Sequence, residues 1–218
     1  MHFITISREF GSGGSEIAER VANALGWQLY DNSVVDAVAA RLGLSVEQVS
    51  SREERLPSLS ERLASAMSLT TPAFVPSVSD AAASPPEDRI VDMTRRVMEE
   101  AVTSGPAVFV GRGAQCLLAR RSDALHVFCY APLDALVATT MERHALTADA
   151  ARKLVMETNS RRAEYVRRYW QRDWRDVSNY HVCLNTAWLG VQGTADLITR
   201  AAGSRGLGSA PSRPVTGP

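Results

Sequence analysis

A short apolar run, His2 to Ile6, passes directly into the stretch Ser7-Arg8-Glu9-Phe10-Gly11-Ser12-Gly13-Gly14-Ser15, which in turn opens a helical pattern. Ile17, Val21 and Leu25 recur at i, i+4 and i+8, so one face of that helix is apolar, and Gly26 stops it. The order strand, glycine-rich turn, helix commits the chain to an α/β arrangement. A second short strand follows at Trp27 to Tyr30, with Asp31 just past its end and another helix from Asn32 to Leu42.

The same alternation returns further on. Ile90, Met93, Val97 and Ala101 have helical spacing, Ala107 to Gly111 reads as a buried strand, and Ala114 to Leu118 as a short helix. Leu125 to Tyr130 is a strand, Pro132 starts a helix that runs to about His144, and His181 to Leu184 and Val191 to Ala202 supply a last strand and helix. Strands alternating with helices predict a three-layer sandwich around a mainly parallel sheet covered on both faces. Ser45 to Met67 has the mixed pattern of surface helices, whereas Leu69 to Pro86, with Pro72, Pro76, Pro85 and Pro86, reads as a long loop, either a spacer or a binding segment. The Gly-, Ser- and Pro-rich tail, 203–218, is expected to be disordered, leaving one domain over 1–202.

With 218 residues and a formal net charge of +0, the chain can bury one good core and has no bulk charge to draw it to nucleic acid. No run approaches the roughly 20 apolar residues needed to span a bilayer, and no leader precedes the first strand, so neither membrane nor nucleic acid is expected as a partner and the cytoplasm is the expected location. Cys116, Cys129 and Cys183 are odd in number and sit in apolar surroundings, the pattern of structural thiols.

A glycine-rich turn between a strand and a helix gathers backbone N–H groups and the positive end of the helix dipole, which favours an anion. Against the phosphate-loop template G-x-x-x-x-G-K-[ST], Gly13 and Ser15 fit, while Arg8 holds the first glycine position and Gly14 the lysine position. The only lysine of the chain is Lys153, so a replacement cation must be an arginine, and Arg8 is the nearest. Gly11, Ser12, Gly13, Gly14 and Ser15 are thus candidate phosphate ligands. Ser15 reads either as a magnesium-orienting hydroxyl or as a helix cap, and Asp31 as a partner of magnesium-bound water, a substrate-hydroxyl ligand or an N-cap.

Basic charge concentrates between Arg152 and Arg175. On one continuous helix Arg161, Arg168, Arg172 and Arg175 would share a stripe within roughly 60°, a solvated face or an arginine-bearing lid that closes on transferring phosphate. Tyr165, Tyr169, Trp170, Trp174 and Tyr180 in the same region suit packing of that lid, with base stacking as the other use.

The opening I-T-I-S-R-E-F-G-S-G-G-S, L-Y-D at 29–31, V-F-V-G-R-G at 108–113 and H-V-C-L-N-T at 181–186, in this order, resemble the cytidylate kinase-like family, a branch of P-loop proteins close to the nucleoside monophosphate kinases. The resemblance spans about 2–200. It implies a P-loop NTPase fold, ATP with Mg2+ at the loop, an arginine-rich lid over 145–178, and an acceptor-binding insertion over 56–89 in which Phe74 contacts a base. Arg112 matches the arginine of the family's D-G-R-D and would anchor the acceptor phosphate. Arg162 matches the arginine of the lid motif, so that Arg8 with Arg162 or Arg168 would neutralise transferring charge, and Ser15 with Asp31 would place magnesium. The acids flanking Gly111-Arg112 in D-G-R-D are here Val110 and Gly113. The expected activity is transfer of the ATP γ-phosphate to a nucleoside monophosphate, CMP first. The alternatives are a kinase of another small metabolite and a nucleotide-binding module without turnover.

Overall fold

The computed structural model describes residues 2–47, 49 and 87–204. Two compact units divide the chain, one made of Met1–Asn32 with Met98–Pro218, the other of Ser33–Val97. The first contains a five-stranded parallel sheet of β1 (Phe3–Arg8), β2 (Gln28–Tyr30), β3 (Ala107–Val110), β4 (Ala124–Tyr130) and β5 (Val182–Asn185), in the order β2-β3-β1-β4-β5. The predicted α/β sandwich with a parallel sheet is therefore the observed fold.

Helix α1 (Gly14–Leu25) follows β1 and buries Ile17, Ala18, Val21 and Ala22 against Ile4, Ile6, Val108, Val110 and Val127 of the sheet. Complete burial of each such Ile or Val removes apolar surface worth about 1.5–3 kcal/mol from water, which fixes where β1 hands over to the turn. Ala195, Ile198 and Ala202 of the last helix, Thr186–Ser204, join the same core. On the opposite face Phe128 of β4 packs with Val166, Trp174 and Tyr180. The aromatic residues of the arginine-rich segment thus pack.

The second unit contains most of α2 (Asn32–Leu42), whose Val34, Val35, Val38 and Ala39 are buried, and the first part of α3 (Glu87–Ser104), where Ile90, Val91 and Val97 are buried. The boundary between the units falls within α3. Apart from 45–47, 49 and 87–89, the expected surface helices, the proline-rich loop, and the acceptor insertion with Phe74 lie outside the described residues, as does the tail beyond 204. The remaining helices are α4 (Ala114–Leu117), α5 (Leu133–His144), α6 (Ala148–Trp170) and α7 (Thr186–Ser204). Among the described residues no helix is long and apolar enough to cross a membrane.

The strand ends and the registers bring the functional segments to one edge. Ile6 lies opposite Val110 on one side and Val127 on the other, so the turns after β1 and β3 leave the sheet side by side. Since β1 leads to β2 across the position taken by β3, while β4 lies on its other flank, the strand order reverses around β1. A crevice at the carboxyl ends of the strands at such a reversal is where open α/β sheets bind ligands.

Candidate functional site

The turn after β1 has the shape of a phosphate loop. Glu9 donates its backbone N–H to the Cys129 carbonyl, Ser12 returns its N–H and its hydroxyl to the Glu9 carbonyl, and Gly11 and Gly13 take φ values of 85° and 76°. Gly13 caps α1 without a side-chain hydrogen bond, and its carbonyl accepts from Ile17 N–H. Ser15 is therefore the second residue of the helix and not its cap. The amides of Gly14, Ser15 and Glu16 precede the first intrahelical bond and are left for an anion, with the helix dipole behind them.

Gly14 and Ser15 line a recess of about 120 Å³ together with Arg8 to Gly11, Gly13, Thr140, Arg143 and His144 of α5, and Arg162 of α6. Pockets for whole drug-sized ligands run about 300–1,000 Å³, so this recess has the size of phosphate groups. Ser15 is exposed on it.

Helix α6 grips the loop by its backbone. The buried Asn159 accepts from Phe10 N–H at 2.7 Å, and Arg162 Nη1 donates to the Arg8 carbonyl at 2.8 Å while its guanidinium lies 5.9 Å from the Phe10 ring centre. His144 stacks on Phe10 at 5.7 Å. Glu9 accepts from Ala131 N–H and pairs with Arg175 at 3.0 Å. Three successive loop residues, Arg8 to Phe10, are thus held from outside the loop.

Two further arginines meet on Asp31. Arg8 Nη2 lies 3.7 Å and Arg112 Nη1 3.6 Å from the same oxygen, Asp31 Oδ1, with all three side chains largely shielded from solvent. Two guanidiniums thus converge on one carboxylate oxygen. Arg112 also donates to the Val110 carbonyl at 3.4 Å, and its own carbonyl accepts from the Tyr165 hydroxyl. Its backbone is left-handed, φ 51°, between Gly111 and Gly113 at 69° and 72°. For a residue with a Cβ this conformation costs about 1–2 kcal/mol, a strain of the kind that collects at binding sites.

The structure thus brings Arg8, Gly11, Gly13, Gly14, Ser15 and Arg162 to the recess, buries Ser12 inside the loop, and sets Asp31 with Arg112 at the next strand ends. Arg168 does not line the recess; its guanidinium lies over the Tyr169 ring at 5.1 Å. The continuous arginine stripe is corrected: α6 ends at Trp170, with Gln171 left-handed at φ 51°, so Arg172 and Arg175 are off the helix. Asp173 and Asp176 accept from Arg175 N–H and Ser178 N–H, local turns that compete with a helical backbone.

The thiols are free, and burial is the main cause that raises their pKa values, Cys116 to about 11 and Cys129 to about 12, so they stay protonated at neutral pH. No group of three or more His, Cys, Asp or Glu side chains able to hold a metal occurs among the described residues.

One residue went unnoticed in the sequence. Trp188 is 83% exposed in the first turn of α7, just past β5, where Asn185 Oδ1 accepts from its N–H. Gly190 breaks α7 with φ 69° and ψ 170°, and the Val191 methyl comes close to Gly13, so the element carrying this indole abuts the loop. The signal was an isolated Trp within L-N-T-A-W-L-G, directly after a strand end.

A parallel sheet reversed around β1, with a phosphate loop at that reversal, defines the fold of P-loop kinases. Residues 3–187 match the cytidylate kinase-like family, and the chain belongs to that family. Among solved structures it is similar to an uncharacterized protein from Eubacterium ventriosum, with a TM-score of 0.68 and 20% identity over 94% of this chain and 100% of that one. It is also similar to the shikimate kinase from Acinetobacter baumannii in complex with shikimate, with a TM-score of 0.53 and 14% identity over 95% and 96% of the two chains. The shikimate kinase from Bacteroides thetaiotaomicron gives 0.52 and 12% over 91% and 97%. These likenesses show the fold. No curated protein sequence matches the chain.

Proposed function

We propose that the protein transfers the γ-phosphate of ATP to a nucleoside monophosphate, with CMP the first candidate acceptor. The observation that carries this reading is the pairing of open amides at the start of α1 with two arginines that converge beside them on Asp31. The amides of Gly14 to Glu16 take the donor phosphates, while Arg8 and Arg162 offset charge on the group in transfer and Arg112 holds the acceptor phosphate. An acceptor oxygen forms the new bond to the γ-phosphorus as the bond to the β–γ bridging oxygen breaks, and ADP leaves with that electron pair. Because little covalent help is needed, positioning and charge do most of the work.

Magnesium supplies charge neutralisation across the phosphates when bound. Ser15, exposed on the recess, would hold it, and the nucleotide itself would bring the other ligands. Asp31 serves first as the counter-ion that keeps two arginines together. The exposed Trp188 ring offers a flat face for the base of the nucleotide whose phosphates lie in the loop.

The second reading, another small anionic metabolite as acceptor, is favoured by Val110 and Gly113 standing where the family's D-G-R-D has acids. ADP release from Mg-ATP, measured with each nucleoside monophosphate and with non-nucleotide acceptors including shikimate, tests both readings. CMP-dependent release is expected. Turnover only with another class of acceptor would shift the assignment to that class, and ATP binding with no turnover on any acceptor would leave a binding module.

A further inference from the structure

The loop lysine and the first loop glycine of the phosphate-loop template are both exchanged here, for Gly14 and Arg8, and the structure makes the two exchanges one event. The Arg8 side chain leaves the end of β1 and crosses the first residue of α1: a Cβ built on Gly14 would overlap Arg8 Cβ and lie 2.6 Å from its Cγ. The head group then passes over Gly111, where an added Cβ would overlap Nη1 and lie 3.2 Å from Cζ. Its path ends at Asp31.

Gly111 has φ 69°, so glycine there is also favoured by its backbone. Gly14 is different. It stands in the first helical position with no positive φ, a place where any side chain fits the backbone and alanine forms helix better than glycine. Only the space taken by Arg8 calls for glycine.

We infer that Gly14 is a positioning residue for Arg8, clearing the path along which the loop's cation enters from the strand end instead of from the helix start. A lysine at 14 and an arginine at 8 are then mutually exclusive solutions to the same need for charge, and the absent lysine is not a sign of decay. The inference rests on the phosphate-binding reading for its ligand and on geometry alone for the coupling.

A double-mutant cycle on the full chain tests it, with Gly14→Ala, Arg8→Gly and the double variant assayed for melting temperature and for binding of inorganic tripolyphosphate and Mg-ATP. Gly14→Ala lowers the melting temperature of the wild type yet raises that of the Arg8→Gly variant, which lacks the overlapped Cβ, a reversal of sign that only removal of the overlap produces. It weakens both phosphate ligands about 10-fold in the wild type and leaves the Arg8→Gly affinity unchanged. A second pair, Gly14→Lys alone and with Arg8→Gly, shows no tripolyphosphate binding for the single change and binding within about 10-fold of wild type for the pair, because a compact ammonium then takes over from the guanidinium fork. Additive effects in the cycle, or a harmless Gly14→Ala, overturn the inference. Loss of tripolyphosphate and ATP binding in the wild type itself would instead overturn the phosphate-binding reading, and the melting temperatures would still decide whether Arg8 and Gly14 are coupled.

Discussion

The turns after β1 and β3 are neighbours with similar ingredients and different physics. Each leaves a strand that is buried up to its last residue or throughout, each is glycine-rich, and each carries one arginine that reaches Asp31. The first opens into the 12-residue α1, whose leading amides stay open and are backed by a helix dipole. The second opens into the four-residue α4, and its early amides are used at once: Ala114 donates to the Gly111 carbonyl, and Cys116 and Leu117 to that of Gly113. Where a long helix exists, the proposed function has the backbone bind the anion. Where it does not, a side chain would have to, and on the proposed reading that side chain is Arg112, which stands in a strained conformation.

The largest expected effect comes from removing the charge on the first side. Arg8→Ala should lower kcat/KM roughly 100- to 1,000-fold, the range seen when one preorganised donor to developing charge is lost. The measurement is steady-state turnover with the acceptor that the screen identifies. A loss of only a few-fold would mean that the amides of α1 and Arg162 suffice, and that the comparison undervalues the backbone.

The second turn is tested by asking whether its strain serves function. Arg112→Gly should leave stability to denaturant unchanged or higher, since glycine relieves a left-handed conformation worth about 1 kcal/mol, while turnover falls roughly 30-fold, about 2 kcal/mol of transition-state binding. If stability and activity fall together, Arg112 is a structural strut to Asp31 and the contrast between the turns collapses.

This contrast also shows what the sequence could carry. The fold was legible because β1 and α1 are local: an apolar run, a glycine turn and an i, i+4, i+8 stripe leave few arrangements. Arg8 was legible as a candidate because the template has a fixed spacing and the chain offers a single, distant lysine. The grip of Asn159 on Phe10 and of Arg175 on Glu9 was not, for these partners are 149 and 166 positions apart. Nor was the end of α6, since continuing the arginine stripe ignored two aspartates, Asp173 and Asp176, whose side chains bond the backbone locally and stop it from remaining helical. Trp188 escaped notice because exposure of a lone aromatic is a tertiary property.

Acid conditions provide a control for both turns, because the other flank of β1 carries a titrating group unrelated to phosphate. His126 on β4 is buried, bonded to Thr5 Oγ1 at 2.8 Å and stacked on His181 at 4.9 Å. Burial, and next the neighbouring His181, hold its pKa down at about 4 against an ordinary 6.5. Between those values the unfolded chain takes up a proton that the folded chain refuses, so stability falls as the pH drops from about 6.5 to about 4, by roughly 2 kcal/mol after allowance for partial solvent access. Urea unfolding across this range should show the slope, and His126→Asn should flatten it. At any one pH, tripolyphosphate affinity should be the same in the wild type and in His126→Asn while the protein stays folded; if His126→Asn alters it, the flanks of β1 are not independent and the two-turn comparison needs a third member.

The smallest effect concerns a strand end that supplies neither open amides nor charge. Past β5 the chain presents the Trp188 face, and if it stacks on the base of the bound nucleotide, Trp188→Ala should weaken Mg-ATP about 10-fold, within the roughly 1–3 kcal/mol that base–aromatic stacking contributes. Tripolyphosphate, which has no base, should bind with unchanged affinity, and nucleotide but not tripolyphosphate should quench the part of the indole fluorescence that Trp188→Phe removes. Equal weakening of both ligands would place the effect in the Val191 contact with Gly13, and hence in the loop itself. The difference between the two ligands therefore reports whether the site is divided by strand end, with amides after β1, a strained arginine after β3 and an aromatic face after β5, each binding a different part of the reacting pair.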